Sequence, residues 1–174
     1  MTAAGDNQEA LYRDVVSQYG AALARLARGY EPDPHLREDL LQDIHVAIWS
    51  SLRAFEGRCS LRTWVYRVAH NTAVSRVPRS RRRIPWVSLD DVVEQQPAAL
   101  IQPDTQDAAL ARRQVLALVE QLAPPDRQIV LLYLEDVDAA AIGEIVGLSA
   151  TNVATKIHRI KKILAARFHA GSRS

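Results

Sequence analysis

Residues 138–166 read DAAAIGEIVGLSATNVATKIHRIKKILAA, two helical stripes set around a glycine. Ile142, Ile145 and Val146 form the apolar side of the first helix, which stops at Gly147, a residue free to take the left-handed conformation of a tight turn. Leu148 is placed to plug the core, and Ser149 can cap the next helix. That helix buries Val153, Ile157, Ile160 and Leu164, an i, i+4, i+7, i+11 series. Thr151, Thr155, His158 and Lys162 point the opposite way, with Asn152 and Arg159 beside them. A polar, basic helix introduced by a glycine turn fits the recognition helix of a helix-turn-helix, its N-terminal half toward base edges and Lys161, Lys162 and Arg167 nearer phosphates. The competing reading is an amphipathic surface helix with a solvated basic side. The absence of any acid from residue 145 onward favours DNA. Repressors and other regulators share such a hairpin, so it does not name a function.

Outward from this pair the chain stays helical. Helical spacing begins at Ala108, with Val115, Leu118, Val119 and Leu122 on one face, and ends at Pro124–Pro125. Asp126 opens the next helix, in which Ile129, Leu132 and Tyr133 are internal. Before Ala108 the pattern is lost. Residues 79–107 hold Pro85, Pro97 and Pro103 and no base after Arg83, so they read as an extended acidic linker between domains at 1–78 and 108–174. The fold class expected is therefore all-α, two small helical domains.

The linker follows a second basic block. Residues 58–83 contain eight arginines, no acid, and Trp64, Tyr66, His70 and Asn71. Cations bind phosphates without regard to sequence, whereas aromatic faces and an Asn amide engage bases that have left the stack. Ser60 caps a third helix whose inner stripe is Leu61, Val65, Val68 and Thr72. Trp64 lies close to that stripe, so core packing competes with base stacking. Tyr66, Arg67 and His70 fall on the face away from it and are expected to be exposed. Asn71 is the more telling residue, because Asn carries a helix-propensity penalty without a packing gain. Arg79–Arg83 read as a phosphate clamp against the alternative of a solvated tail.

Two helices precede this block. Leu11, Val15, Val16, Tyr19, Leu23 and Leu26 stripe the first; Gly29, Pro32 and Pro34 interrupt it, and Asp33 can cap the second. The second buries Leu36, Leu40, Ile44, Ile48 and Leu52 and breaks at Glu56–Gly57. On its outer side Asp39, Gln42, Val46 and Trp49 form an apolar spot framed by carboxylates, suited to a protein partner. Packing of Trp49 on the first helix is the equal alternative.

The totals exclude several classes. The net charge of +2 conceals a sum of +8 over residues 58–83 and of +6 over 145–174, with acidic stretches between. Such alternation suggests two nucleic-acid contacts. Cys59 is the only cysteine, which rules out an internal disulfide and a cysteine-based zinc framework; it is expected to be a small buried thiol. No glycine-rich phosphate loop, metal cluster or nucleophile–base pair emerges, so no cofactor, metal or catalytic residue is expected. No run is apolar enough for a membrane span, and a cytoplasmic protein is expected.

With these residues in hand, the chain resembles the extracytoplasmic-function group of the sigma-70 family of bacterial transcription initiation factors. REDLLQDIHVAIW (Arg37–Trp49) is similar to the helix that binds core RNA polymerase. FEGRCSLRTWVYRVAHNTAVSRVPRSRRR (Phe55–Arg83) is similar to the segment that melts and reads the −10 element. LAPPDRQIVLLYLEDVDAAAIGEIVGLSATNVATKIHRIKKIL (Leu122–Leu164) is similar to the −35-binding domain. The resemblance implies polymerase contact by Asp39, Gln42, Asp43, Val46 and Trp49. It implies −10 contacts by Arg58, Ser60, Arg62, Trp64, Arg67, His70, Asn71 and Arg76, with a flipped base captured near Arg58–Arg62 and Asn71. It implies −35 readout by Thr151, Asn152, Thr155, Lys156, His158, Arg159 and Lys162. Core RNA polymerase and promoter DNA are the implied partners, and the family adds an anti-sigma factor. A conventional helix-turn-helix regulator acting without polymerase is the alternative. The sequence departs from the family in four places. Pro78 ends the third helix before the usual arginine-rich continuation, and Asp138 and Ala141 stand where the family often has Ser-x-x-Glu. Gly143 replaces the usual alanine and is expected to loosen its helix, and Ala154 removes a frequent cation.

Overall fold

The computed structural model describes residues 3–76, 88 and 108–169, with side chains at 7–76, 88, 113 and 115–163. Apart from Ser88, the linker, including the Arg79–Arg83 run, lies outside the described residues, as do the side chains of Leu164 and Arg167. The described residues form seven α-helices and one short 3-10 turn, with no strand. The chain divides into two compact units, Met1–Arg79 and Ser80–Ser174.

In the first unit α1 spans Ala3–Tyr30, α2 spans Pro34–Ser51 and α3 spans Leu61–Arg76. Asp33 caps α2 as expected, accepting from the amides of His35 (2.9 Å) and Leu36 (3.1 Å). Leu52–Ala54 continues α2 as a 3-10 turn, and Gly57, at φ +73°, reverses the chain toward α3. All three helices pack on one another. Their core holds Val15, Leu23, Leu26, Ala27 and Tyr30 of α1, Leu40, Ile44 and Ile48 of α2, and Val65, Tyr66, Ala69 and Ala73 of α3. A fully buried Ile such as Ile44 is worth about 1.5–3 kcal/mol relative to exposure. Val16 and Leu36, assigned to the apolar stripes, are instead exposed. Leu36 sits in the first turn of α2, ahead of the Leu40–Ile44–Ile48 contact line.

Polar ties join the ends of α1 to the other two helices. Near its start the buried Gln8 amide donates to the Trp49 carbonyl (2.7 Å) and accepts from Arg53 Nε (3.0 Å). One turn on, the Tyr12 hydroxyl lies 3.1 Å from His45 Nδ1, and its ring meets Trp49 edge-on at 5.2 Å. At its end the Tyr30 hydroxyl lies 3.1 Å from His70 Nδ1.

The last contact overturns the expected face of α3. Its buried residues are Thr63, Val65, Tyr66, Ala69, His70 and Ala73, whereas Leu61, Val68 and Thr72 are only half-buried. At 100° per residue the buried arc is rotated by roughly a third of a turn from the predicted stripe. Ala69 and Ala73 allow close approach on that side, and the Tyr30 hydroxyl gives the imidazole of His70 a partner in the core.

In the second unit α4 is Ala108–Gln121, α5 is Pro124–Leu134, α6 is Ala139–Val146 and α7 is Ala150–His169. Pro124 and Pro125 start α5, where a missing N–H leaves nothing unsatisfied. Asp138 caps α6 through the amides of Ala140 and Ala141. Leu118, Val119, Leu122, Ile129, Leu132, Val137, Ile142, Ile145, Val153, Ile160 and Ile163 are buried. The buried Arg127 guanidinium donates to the carbonyls of Glu120 and Leu122, tying α5 to the end of α4.

Full burial lowers the pKa of His70 to about 3, because the charged imidazolium would lose its hydration. The unfolded chain therefore takes up the proton first, near pH 6.5, and the stability present above that pH is lost as pH falls toward 3. Urea titrations between pH 6.5 and 4 are expected to show a stability slope steeper than that of His70→Phe by about 1.4 kcal/mol per pH unit. Equal slopes in the two proteins would place a charge-tolerant histidine in the core.

Candidate nucleic-acid and polymerase interfaces

The outward face of α2 carries Asp39, Gln42 and Val46, all exposed, with Val46 at 58%. Asp43 and Trp49 are half-buried beside them. Trp49 packs on Tyr12 of α1, so it borders this face rather than standing out from it. Leu36, 50% exposed, adds an apolar side chain that periodicity had put in the core. Burial lowers the pKa of His45, behind the face, which favours the neutral ring where it meets Tyr12.

The basic-aromatic segment is built around Ser60. Its Oγ accepts from the Thr63 amide (3.0 Å) and meets Thr63 Oγ1 at 2.9 Å, fixing the first turn of α3. Trp64 is half-buried, its Nε1 donating to Ser51 Oγ (3.0 Å) and its ring 5.6 Å from that of Phe55. Trp64 is thus held at one edge, partly core and partly surface. Arg62 stands over the Tyr66 ring at 5.9 Å. Along the open side of α3, Trp64, Arg67, Asn71 and Ser75 recur at helical spacing; Asn71 and Ser75 are exposed, Trp64 and Arg67 half-buried. Arg58 is exposed in the preceding loop and pairs with Glu56 (2.5 Å), and the neighbouring Cys59 thiol is half-buried.

Two members of the predicted −10 set are placed differently. His70 is 1% exposed and turned toward Tyr30, so it cannot reach DNA without unfolding α3. Its assignment to the surface came from an apolar stripe that is not the buried one. Arg76 is exposed but pairs with Asp43 of α2, joining a residue of the predicted DNA set to one of the predicted polymerase set.

In the second unit Gly147 adopts φ +77° and its amide donates to the Gly143 carbonyl (2.9 Å), as does that of Leu148 (3.1 Å). Ser149 caps α7 through the Asn152 amide (3.2 Å). Thr151, Asn152, Thr155, His158 and Lys162 are exposed, and Arg159 is half-buried on the same side. Lys161 lies 5.8 Å over the Tyr133 ring on a flank. Lys156 departs from the predicted reading face: its Nζ meets Asp126 Oδ1 at 2.6 Å, with the lysine side chain 22% and the aspartate 5% exposed. Only the resemblance put Lys156 among base readers; helical spacing alone sets it near Ile160 and Ile163.

Gly143 is required rather than tolerated. A methyl there would come within 2.7 Å of the Leu148 carbonyl oxygen and 3.5 Å of the Ala150 amide. The exchange expected to loosen α6 instead lets it close on the turn.

The model of Sigma-70 region 2 matches residues 15–83, and that of Sigma-70, region 4 matches residues 112–164. The chain belongs to the sigma-70 family. It falls in the extracytoplasmic-function group. The ECF RNA polymerase sigma factor SigW of Bacillus subtilis is 26% identical over 164 residues, covering 88% of this chain and 86% of SigW. The RNA polymerase sigma factor CnrH of Cupriavidus metallidurans is 28% identical over 180 residues, covering 98% and 92%. CnrH in complex with the cytosolic domain of CnrY shares the fold at a TM-score of 0.64 and 23% identity, over 96% of this chain and 92% of that one. RpoE bound to the anti-sigma factor NepR from Bartonella quintana does so at 0.64 and 17%, over 91% and 96%. The chain is a sigma factor, and a regulator acting without polymerase is not favoured. Among the described residues no helix is long and apolar enough to cross a membrane.

Replacing Gly143 by valine is expected to destabilise the second unit by about 1–3 kcal/mol, the range for forcing methyl groups into a packed site. Thermal unfolding of the variant measures this; an unchanged midpoint would mean that the turn yields freely.

Proposed function

We propose that this sigma factor docks on core RNA polymerase through the Asp39–Gln42–Val46 face of α2, with Asp43, Leu36 and Trp49 at its margin. Promoter DNA is opened and read at −10 by the Arg58–Arg62 loop and the Trp64–Arg67–Asn71 side of α3, and duplex −35 DNA is read in the major groove by α7. The single observation that carries the reading is the pairing of two outward faces in one family order. One is an α3 whose Asn71 is exposed on a helix locked from behind by Tyr66 and His70. The other is an α7 exposing Thr151, Asn152, Thr155, His158 and Lys162 after a tight Gly147 turn.

The chemistry is binding, without catalysis by this chain. Cations neutralise phosphates, and the Asn71 amide and Trp64 ring meet an extruded base, offsetting an unstacking cost of a few kcal/mol. The residues grouped as 1–78, 79–107 and 108–174 then act as −10 module, connection and −35 module. Action in the cytoplasm follows from the partner. Solved relatives bound to CnrY and NepR support an anti-sigma factor as a further partner.

Asn71→Ala is expected to slow open-complex formation by ~tenfold, about the 1.4 kcal/mol of a lost hydrogen bond, while duplex −35 binding is unchanged. Equal losses in permanganate footprinting and in duplex binding would remove the base-capture role. Asp39→Arg with Val46→Asp is expected to weaken binding to core polymerase by at least ~tenfold, as loss of a central contact does, with the circular dichroism spectrum unaltered. Undiminished co-purification would move the polymerase site elsewhere.

A further inference from the structure

The second unit contains a charged pair that the reading of DNA leaves unexplained. Asp126 lies in the first turn of α5 and is 4% exposed; Lys156 lies in the middle of α7. At 100° per residue Lys156 falls between Ile160 and Ile163, within about 60° of Val153, and so on the packed side of the recognition helix. Val153, Ile160 and Ile163 are all buried there. A lysine at such a position must leave water, and its ammonium is met by the carboxylate at 2.6 Å. The neighbouring Arg127 is bound in turn to carbonyls at the end of α4. The first turn of α5 therefore grips the helix before it with one charged residue and α7 with the next.

We propose that the Asp126–Lys156 pair is a positioning device that fixes the rotation of α7 about its axis, and so selects which side chains face the −35 bases. The inference rests on the −35 reading given above. Apolar contacts are nearly indifferent to direction, so Val153, Ile160 and Ile163 hold α7 down but tolerate rolling. A short charge-assisted hydrogen bond at the edge of that stripe does not. Rolling would exchange the set Thr151, Asn152, Thr155, His158 and Lys162 for another. Lys156 thus determines specificity without touching DNA.

The test uses holoenzyme reconstituted from the full chain and core RNA polymerase, with an upstream element selected by wild-type holoenzyme from a randomised promoter library. Affinities for promoters bearing the selected and a scrambled element are compared across salt concentrations for wild type, Lys156→Met, Asp126→Asn and the double variant. Lys156→Met is expected to cut the selected-to-scrambled ratio by about tenfold, the value of roughly one good base contact. Its salt dependence is expected to match wild type, and the double variant to be no worse than either single one. A salt slope lower by about 0.9 would make Lys156 a phosphate contact and overturn the proposal. So would an intact ratio accompanied only by a lower melting temperature, which a purely structural pair predicts. Should Lys156→Met fail to fold, Lys156→Gln, which keeps a donor facing Asp126, is read by the same criteria. Failure of wild-type holoenzyme to select any element would instead overturn the −35 reading itself, and this inference with it.

Discussion

A helix that presents side chains to a partner must be held against rotation about its own axis, and in both units of this sigma factor one helix is held so by polar contacts. Each residue step turns the helix by about 100°, so a small roll replaces one set of outward groups by another. Hydrophobic burial supplies most of the binding of a helix to its neighbours but little angular preference. Direction comes from polar contacts at the margin of the apolar stripe. In α3 these are the Tyr30–His70 contact and the Trp64–Ser51 hydrogen bond; in α7 they are the Lys156–Asp126 pair and the Ser149 cap. On the proposed function, the polar residues that set DNA recognition thus include ones that face away from the DNA.

Electrostatics divides along the same line. Arg58–Glu56 and Arg76–Asp43 are exposed pairs, the kind worth at most about 1 kcal/mol, and they break readily when a phosphate arrives. Asp43 nevertheless neutralises Arg76 in the free protein, so a partner that claims one of them changes the charge left to the other. Asp126–Lys156 differs in kind, because separating it would strand a charge in the core.

Much of this was legible in the sequence because local rules suffice for it. Asp33, Ser60 and Ser149 cap their helices as their residue types and positions imply, and Gly147 takes the left-handed turn. The α2 line Leu40–Ile44–Ile48 followed from period alone. The errors arose where tertiary partners overrode hydrophobicity. The period of α3 alone places Tyr66 and His70 at the surface; Tyr30, forty residues before His70, makes the core hospitable to an imidazole. Gly143 is a weakness by helix propensity alone, but the Leu148 carbonyl leaves no room there for a side chain. For Lys156 the resemblance implies base contact, whereas its own place on the wheel, beside Ile160 and Ile163, points inward.

The two ties of α1 carry a metric consequence. Gln8 and Tyr30 are 22 residues apart in one unbroken helix, a separation of about 33 Å at 1.5 Å per residue. The first meets the end of α2 and the second the latter half of α3, so α1 acts as a ruler between these two helices, which the proposed function turns toward polymerase and DNA. Its length is quantised. Adding or removing a single residue between the ties would shift one by about 1.5 Å and swing it by about 100° relative to the other, so both could not be kept. What the two ties fix is therefore the residue count of α1 between Gln8 and Tyr30.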